Sequence, residues 1–82
     1  MITHPNGTVR EFITARYPQA EIADDDDIFA LGYVNSLFAM ELVRFVERTF
    51  KISVPENELR LDNFRTIDSI VELVRRESPA AD

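Results

Sequence analysis

Gly32-Tyr33-Val34-Asn35-Ser36-Leu37-Phe38-Ala39-Met40-Glu41-Leu42-Val43 is the stretch on which the fold turns. A loop closes at its glycine, and apolar side chains at helical spacing begin directly after Asn35 and Ser36. Both of these polar residues can accept from the first unpaired N–H groups of a helix. A helix is therefore expected from Ser36 or Leu37 to Phe50. Phe38, Ala39, Leu42, Val43, Phe45, Val46 and Phe50 fall on one broad face of it, the pattern of a helix laid on a core. The other face holds Leu37, Met40, Glu41, Arg44, Glu47 and Arg48. A lone exposed Leu or Met says little. Leu37 and Met40, one turn apart beside Ser36 and flanked by mixed charges, suit a small, transient docking surface.

Upstream, Thr8-Val9-Arg10-Glu11 has the form of a capping box, and Val9, Phe12 and Ile13 recur at helical spacing. The first helix is expected from Thr8 to about Tyr17, ended by Pro18. Residues 1–7, with Pro5 and Gly7, read as a flexible lead-in, and residues 78–82 as a flexible tail. Gln19 to Asn35 is a long connection, expected to pack on the helices through Ile22, Ile28, Phe29 and Leu31. Downstream, Lys51 to Pro55 reads as extended, with Ile52 and Val54 inward. Glu56 to Leu59 and Asp62 to Phe64 read as short turns that need Leu59, Leu61 and Phe64 on the core. Thr66 caps a last helix, with Asp68 in its first turn and Ile67, Ile70, Val71 and Val74 as its buried stripe. The expected fold is all-α: one small domain over residues 1–82, a bundle of three main helices plus one short helix, with a long loop between helices 1 and 2.

At 82 residues and 45% hydrophobic, the chain has material for one modest core and no second lobe. A net charge of −6 argues against nucleic-acid backbones as partners. With no cysteine there are no disulfides and no thiolate metal sites, so any thiol chemistry needs an added group. No apolar run is long enough to span a membrane and no leader is recognisable, so a cytoplasmic, monomeric protein is expected. The Asp24–Asp27 run fails the calcium-loop pattern. Counting from Asp24, position five is Ile28, position six is Phe29 rather than Gly, and position twelve is Asn35 rather than Glu. A solvated charge run and no metal site is the expectation. His4 is the only histidine and falls in the lead-in. Ser36 also lacks a Gly-x-Ser-x-Gly setting, so no catalytic residues are assigned and no enzyme is expected.

The run Phe29-Ala30-Leu31-Gly32-Tyr33-Val34-Asn35-Ser36-Leu37 resembles the attachment loop of acyl carrier proteins, which ends in Gly, one or two residues, Asp, then the modified Ser and Leu. The likeness extends from the Asp24 run to Arg76. Two departures stand out: Asn35 replaces the usual Asp, and helix 2 balances Glu41 and Glu47 against Arg44 and Arg48 where carriers commonly have an acidic helix. The resemblance implies that Ser36 bears 4'-phosphopantetheine, whose thiol carries an acyl group as a thioester. It also implies docking through Leu37, Met40, Glu41, Arg44 and Glu47. The expected partners are a phosphopantetheinyl transferase, an acyl-loading enzyme, and dehydrogenases and an acyltransferase or synthase that act on the bound group. The spacing after Gly32 looks like that of discrete carriers for D-alanyl groups or for unusual extender units. The latter implies a glyceryl-derived hydroxy- or methoxymalonyl cargo in secondary metabolism. Two alternatives remain open: within the resemblance, a D-alanyl or aminoacyl carrier; from the residues alone, an unmodified helical interaction module in which Ser36 is only a cap.

Overall fold

The computed structural model describes residues 4–78. Three α-helices carry the fold: α1 (Pro5–Arg16), α2 (Ser36–Phe50) and α3 (Ile67–Glu77). Between α2 and α3, where one short helix is expected, the chain makes two 3₁₀ turns, Glu56–Glu58 and Leu61–Phe64. No strand occurs among the described residues.

Helix α1 begins three residues before the expected Thr8. Pro5 takes its first turn, where a missing N–H and a fixed φ suit the helix. Thr8 is therefore interior. Its N–H and its hydroxyl both donate to the His4 carbonyl, at 3.0 and 3.2 Å, and it does not cap. Pro5 to Gly7 thus belong to the helix and not to a flexible lead-in. The rest of that expected lead-in, residues 1–3, and residues 79–82 of the expected tail lie outside the described residues.

The core draws on every helix. Val9 and Ile13 of α1, Leu42 and Val46 of α2, and Ile67, Ile70 and Leu73 of α3 are fully enclosed. Leu73 extends the stripe expected for α3, because that helix is covered by α1 and by the second 3₁₀ turn. Aromatic rings join α1 to α2. Phe12 stacks on Phe38 with centroids 5.6 Å apart and on Phe45 at 4.2 Å, while Tyr17 meets Phe38 edge-on. Arg16 lies 4.9 Å over the Phe38 ring. Such pairs add about 0.5–1.5 kcal/mol each beyond the area they bury.

The long connection crosses to α3 and is anchored there. Ile28 is fully buried and donates to the Arg65 carbonyl at 2.8 Å. Asp68 donates its N–H to the Asp24 carbonyl at 3.0 Å. Ile22 and Ile28 are inside and Phe29 is half-buried, but Leu31 is 51% exposed and does not pack as expected. The acidic run is likewise not simply solvated. Asp24 pairs with Arg10 and accepts from Asn6 at 3.2 Å, Asp26 accepts from the Ala23 N–H, and Asp27 binds Arg65. Three of the four carboxylates are thus committed to holding the loop.

After α2, Lys51 adopts the left-handed conformation, at φ 58°, that turns the chain out of the helix. Ile52 and Val54 then point inward as expected. Phe64 is buried, whereas Leu59 and Leu61 are 45% and 54% exposed. The expectation that both leucines pack on the core is therefore wrong. The two turns are held instead by Phe64 and by polar bonds, with Asn63 donating to the Glu58 carbonyl at 2.8 Å and to its carboxylate at 2.9 Å.

Leu42→Asp or Val46→Asp is expected to unfold the domain. Either places an unpaired carboxylate at a fully enclosed position, and even Leu→Ala costs about 2–5 kcal/mol in such a core. Loss of the cooperative thermal transition in circular dichroism is the readout, and a retained wild-type melt would contradict the packing described.

Candidate functional site

The site is built at the junction of the long connection and α2. Asp27 opens the final turn, its carboxylate accepting from the N–H groups of Phe29 at 3.1 Å and Ala30 at 3.0 Å. Gly32 closes the turn at φ 86°, a conformation that side chains other than glycine rarely adopt. Its N–H reaches the Phe29 carbonyl at 3.0 Å. Tyr33 and Val34 then both donate back to the Ile28 carbonyl, at 3.1 and 3.3 Å. This sets the direction in which the chain enters α2.

Asn35 makes the cap. Its side-chain oxygen accepts from the Phe38 N–H at 2.8 Å, and its carbonyl accepts from Ala39 at 2.8 Å. Of the four N–H groups that a helix start leaves over, this one side chain satisfies the third helical position. Ser36 is the first helical residue, exposed, and takes no part in the cap. The reading in which Ser36 is only a cap therefore fails on geometry: the neighbour does that work. Ser36 and Leu37 bring their own N–H groups to the same helix start, where an oxyanion is favoured by about 0.3–1 kcal/mol. An exposed hydroxyl with a backbone anion site beside it fits a phosphodiester.

The side chains expected to dock partners lie next to it. Leu37 is 70% exposed and Met40 54%, and Glu41 and Arg44 are exposed with them. Glu41 faces Arg16 of α1 at 3.4 Å. Glu47 is set apart: it is half-buried, and its carboxylate accepts from the Val54 N–H at 2.9 Å, fastening the segment after α2. Leu59 and Leu61 were missed as part of this surface. Together with Phe29, Ala39, Met40, Val43, Arg60 and Phe64 they line a groove of about 170 Å³ that opens at Ser36. Apolar residues in short turns read alike whether they face a core or a groove, so no local pattern distinguishes the two.

Asp27 has a carboxyl held below its ordinary value, first by the Ala30 N–H; burial, the next largest effect, opposes this, and the Arg65 side chain, its charge and the Phe29 N–H outweigh it. Arg65 is raised in turn by Asp62 and Asp27. Among the described residues no three His, Cys, Asp or Glu side chains gather as metal ligands, and no helix is long and apolar enough to cross a membrane.

The family described as "Phosphopantetheine attachment site" matches residues 8–74, most of the chain and all of the geometry above. The chain belongs to that family. Its members are acyl and peptidyl carriers, not enzymes, and the group that they hold covalently is 4'-phosphopantetheine. D-alanyl carrier proteins of Streptococcus pyogenes, among them those of serotype M5 (strain Manfredo), serotype M49 (strain NZ131) and serotype M1, are similar. Each is 40% identical over 48 residues, covering 58% of this chain and 61% of its own length. The match thus spans about three fifths of those curated relatives. No solved structure matches significantly.

Asn35→Ala is expected to cost about 1 kcal/mol, lowering the thermal midpoint by roughly 4–8 °C in a domain of this size. A separate expectation concerns acid. Because the folded pKa of Asp27 is depressed, its contribution is complete above the ordinary value of 3.8 and is lost as pH falls below it. Asp27→Asn removes that dependence, so the midpoint of the variant falls less steeply than that of the wild type as pH drops below about 4. Parallel curves would show that Asp27 does not hold the loop.

Proposed function

We propose that this chain is a discrete carrier protein in which Ser36 is the attachment residue for 4'-phosphopantetheine. The observation that supports this most directly is the division of roles at the start of α2: Asn35 caps, and Ser36 stands exposed at the first helical position. Its hydroxyl would supply the ester oxygen through which the phosphodiester is held, and the N–H groups of Ser36 and Leu37 would favour that anion. When bound, the group supplies the thiol that the chain lacks, for carrying acyl groups as thioesters. Leu37, Met40, Glu41 and Arg44 form the docking surface, and Glu47 stiffens its far end through Val54. The partners are a phosphopantetheinyl transferase, an acyl-loading enzyme, and dehydrogenases and an acyltransferase or synthase that work on the bound group. A small patch of this kind suits brief encounters.

For cargo, we propose a glyceryl-derived hydroxy- or methoxymalonyl extender unit, in keeping with the loop from Phe29 to Met40. A D-alanyl group is the second reading, favoured by the similarity to the streptococcal D-alanyl carriers. The adduct on protein isolated from its own host separates them. A glyceryl- or malonyl-sized addition supports the first, and an alanyl-sized addition replaces it.

Incubation with coenzyme A, magnesium and a broad-specificity transferase is expected to add one phosphopantetheine to the wild type and none to Ser36→Ala. Modification of Ser36→Ala, or none of the wild type, would contradict the assignment. Met40→Glu is expected to keep the wild-type melt and slow acyl loading about 5- to 30-fold, the size of a lost 1–2 kcal/mol contact. Unchanged loading would remove Met40 from the docking surface.

A further inference from the structure

The groove that opens at Ser36 is lined by Phe29, Ala39, Met40, Val43, Leu59, Leu61 and Phe64, and by a single charged side chain, Arg60. The other arginines near the loop and turns are engaged: Arg10 with Asp24, Arg65 with Asp27 and Asp62, Arg76 with Glu58 and Glu72. Among the described residues Arg60 forms no ion pair. Its backbone is nonetheless fixed between the two 3₁₀ turns, its N–H donating to the Glu58 carbonyl at 2.8 Å and its carbonyl accepting from Asn63 at 3.0 Å. Arg60 thus borders an apolar cleft beside the attachment serine from a fixed backbone position, and no acid among the described residues pairs with it.

We infer that Arg60 is a specificity-determining residue that pairs with a free carboxylate on the acyl cargo. The inference rests on the carrier reading of Ser36. A planar guanidinium matches a carboxylate in two parallel hydrogen bonds, and the apolar lining strengthens the pairing relative to open water. Size agrees. An apolar cavity of about 150 Å³ takes a benzene-sized ligand, so a groove of about 170 Å³ has room for the few heavy atoms of a short acyl unit. Sign agrees as well, since an aminoacyl cargo would present an ammonium to Arg60 and be repelled. Arg60 therefore favours a malonyl-type unit over an aminoacyl one.

The test uses holo, butyryl-loaded and malonyl-loaded protein, made from the corresponding coenzyme A thioesters, for the wild type and for Arg60→Gln. Butyryl is an uncharged acyl group of nearly the size of malonyl, with an ethyl group in place of the carboxylate. Intact mass first establishes loading at Ser36. The Arg60 Nε–Hε resonance is then expected to shift in the malonyl form alone. The malonyl form should also melt about 1–5 °C above the butyryl form at low salt, a difference lost in Arg60→Gln and reduced by high salt. A shift already complete in the holo form would mean that Arg60 binds the phosphodiester, and would overturn the inference. So would full loading with no difference between the malonyl and butyryl forms. A chain that takes no pantetheine at Ser36 overturns the carrier reading and this inference together.

Discussion

The structure depends on how Ile28 is pinned. Its side chain is fully enclosed, its N–H is given to the Arg65 carbonyl at 2.8 Å, and its own carbonyl collects the N–H groups of Tyr33 and Val34. One residue of the long connection thus fastens the loop to the entry of α3 and sets the direction from which α2 starts. Asp27 reinforces the same point from the next position, with two backbone donors on one oxygen and Arg65 on the other. Backbone groups buried away from water must be paired, and here that requirement turns a long connection into a rigid bracket. A mobile loop would let the first turn of α2 fray. With the bracket, the first turn of α2 is presented at a fixed place.

That rigidity gives the polar pair at the helix start two separate tasks. A helix N-terminus needs a side-chain acceptor, and the residue that provides it has its oxygen turned back into the helix. Asn35 accepts that constraint, so Ser36 is released from it and points outward. The replacement of the usual Asp by Asn at this position keeps the accepting oxygen while removing a charge from beside the serine. The same economy runs through the neighbouring surface. Glu47 and Glu58 are drawn into backbone and side-chain bonds that hold the segments after α2, which leaves Leu37, Met40, Leu59, Leu61 and Arg60 as the free groups around the hydroxyl.

Much of this could be read from the residues. The apolar faces of α2 and α3 announce themselves by spacing, and Thr66 is a cap by type and by position; the structure has its hydroxyl accepting from the Ser69 N–H at 2.9 Å. Pro5 is harder, since proline both breaks helices and starts them, and only the packing of Val9 and Ile13 decides which. Leu59 and Leu61 are hard for another reason: in 3₁₀ turns of three or four residues no periodicity distinguishes an inward side chain from an outward one. The partners of the aspartates were also hidden. Asp24 meets Arg10, and Asp27 meets Arg65 across 38 positions, pairings that exist only once the loop has crossed the bundle. Ser36, the proposed attachment residue, was legible through its flanking residues, whereas its release from capping is a matter of geometry.

The central claim is that one phosphodiester joins this chain at the Ser36 hydroxyl, on a helix start that does not need that hydroxyl for its own stability. A proton–phosphorus correlation spectrum of the pantetheine-bearing protein addresses it atom by atom. The account predicts a phosphorus signal coupled both to the Ser36 β-protons and to the methylene of the tether, with the Phe38 amide still in its capped position. Coupling to any other residue, or a Phe38 amide displaced as if the cap had been lost, would contradict it.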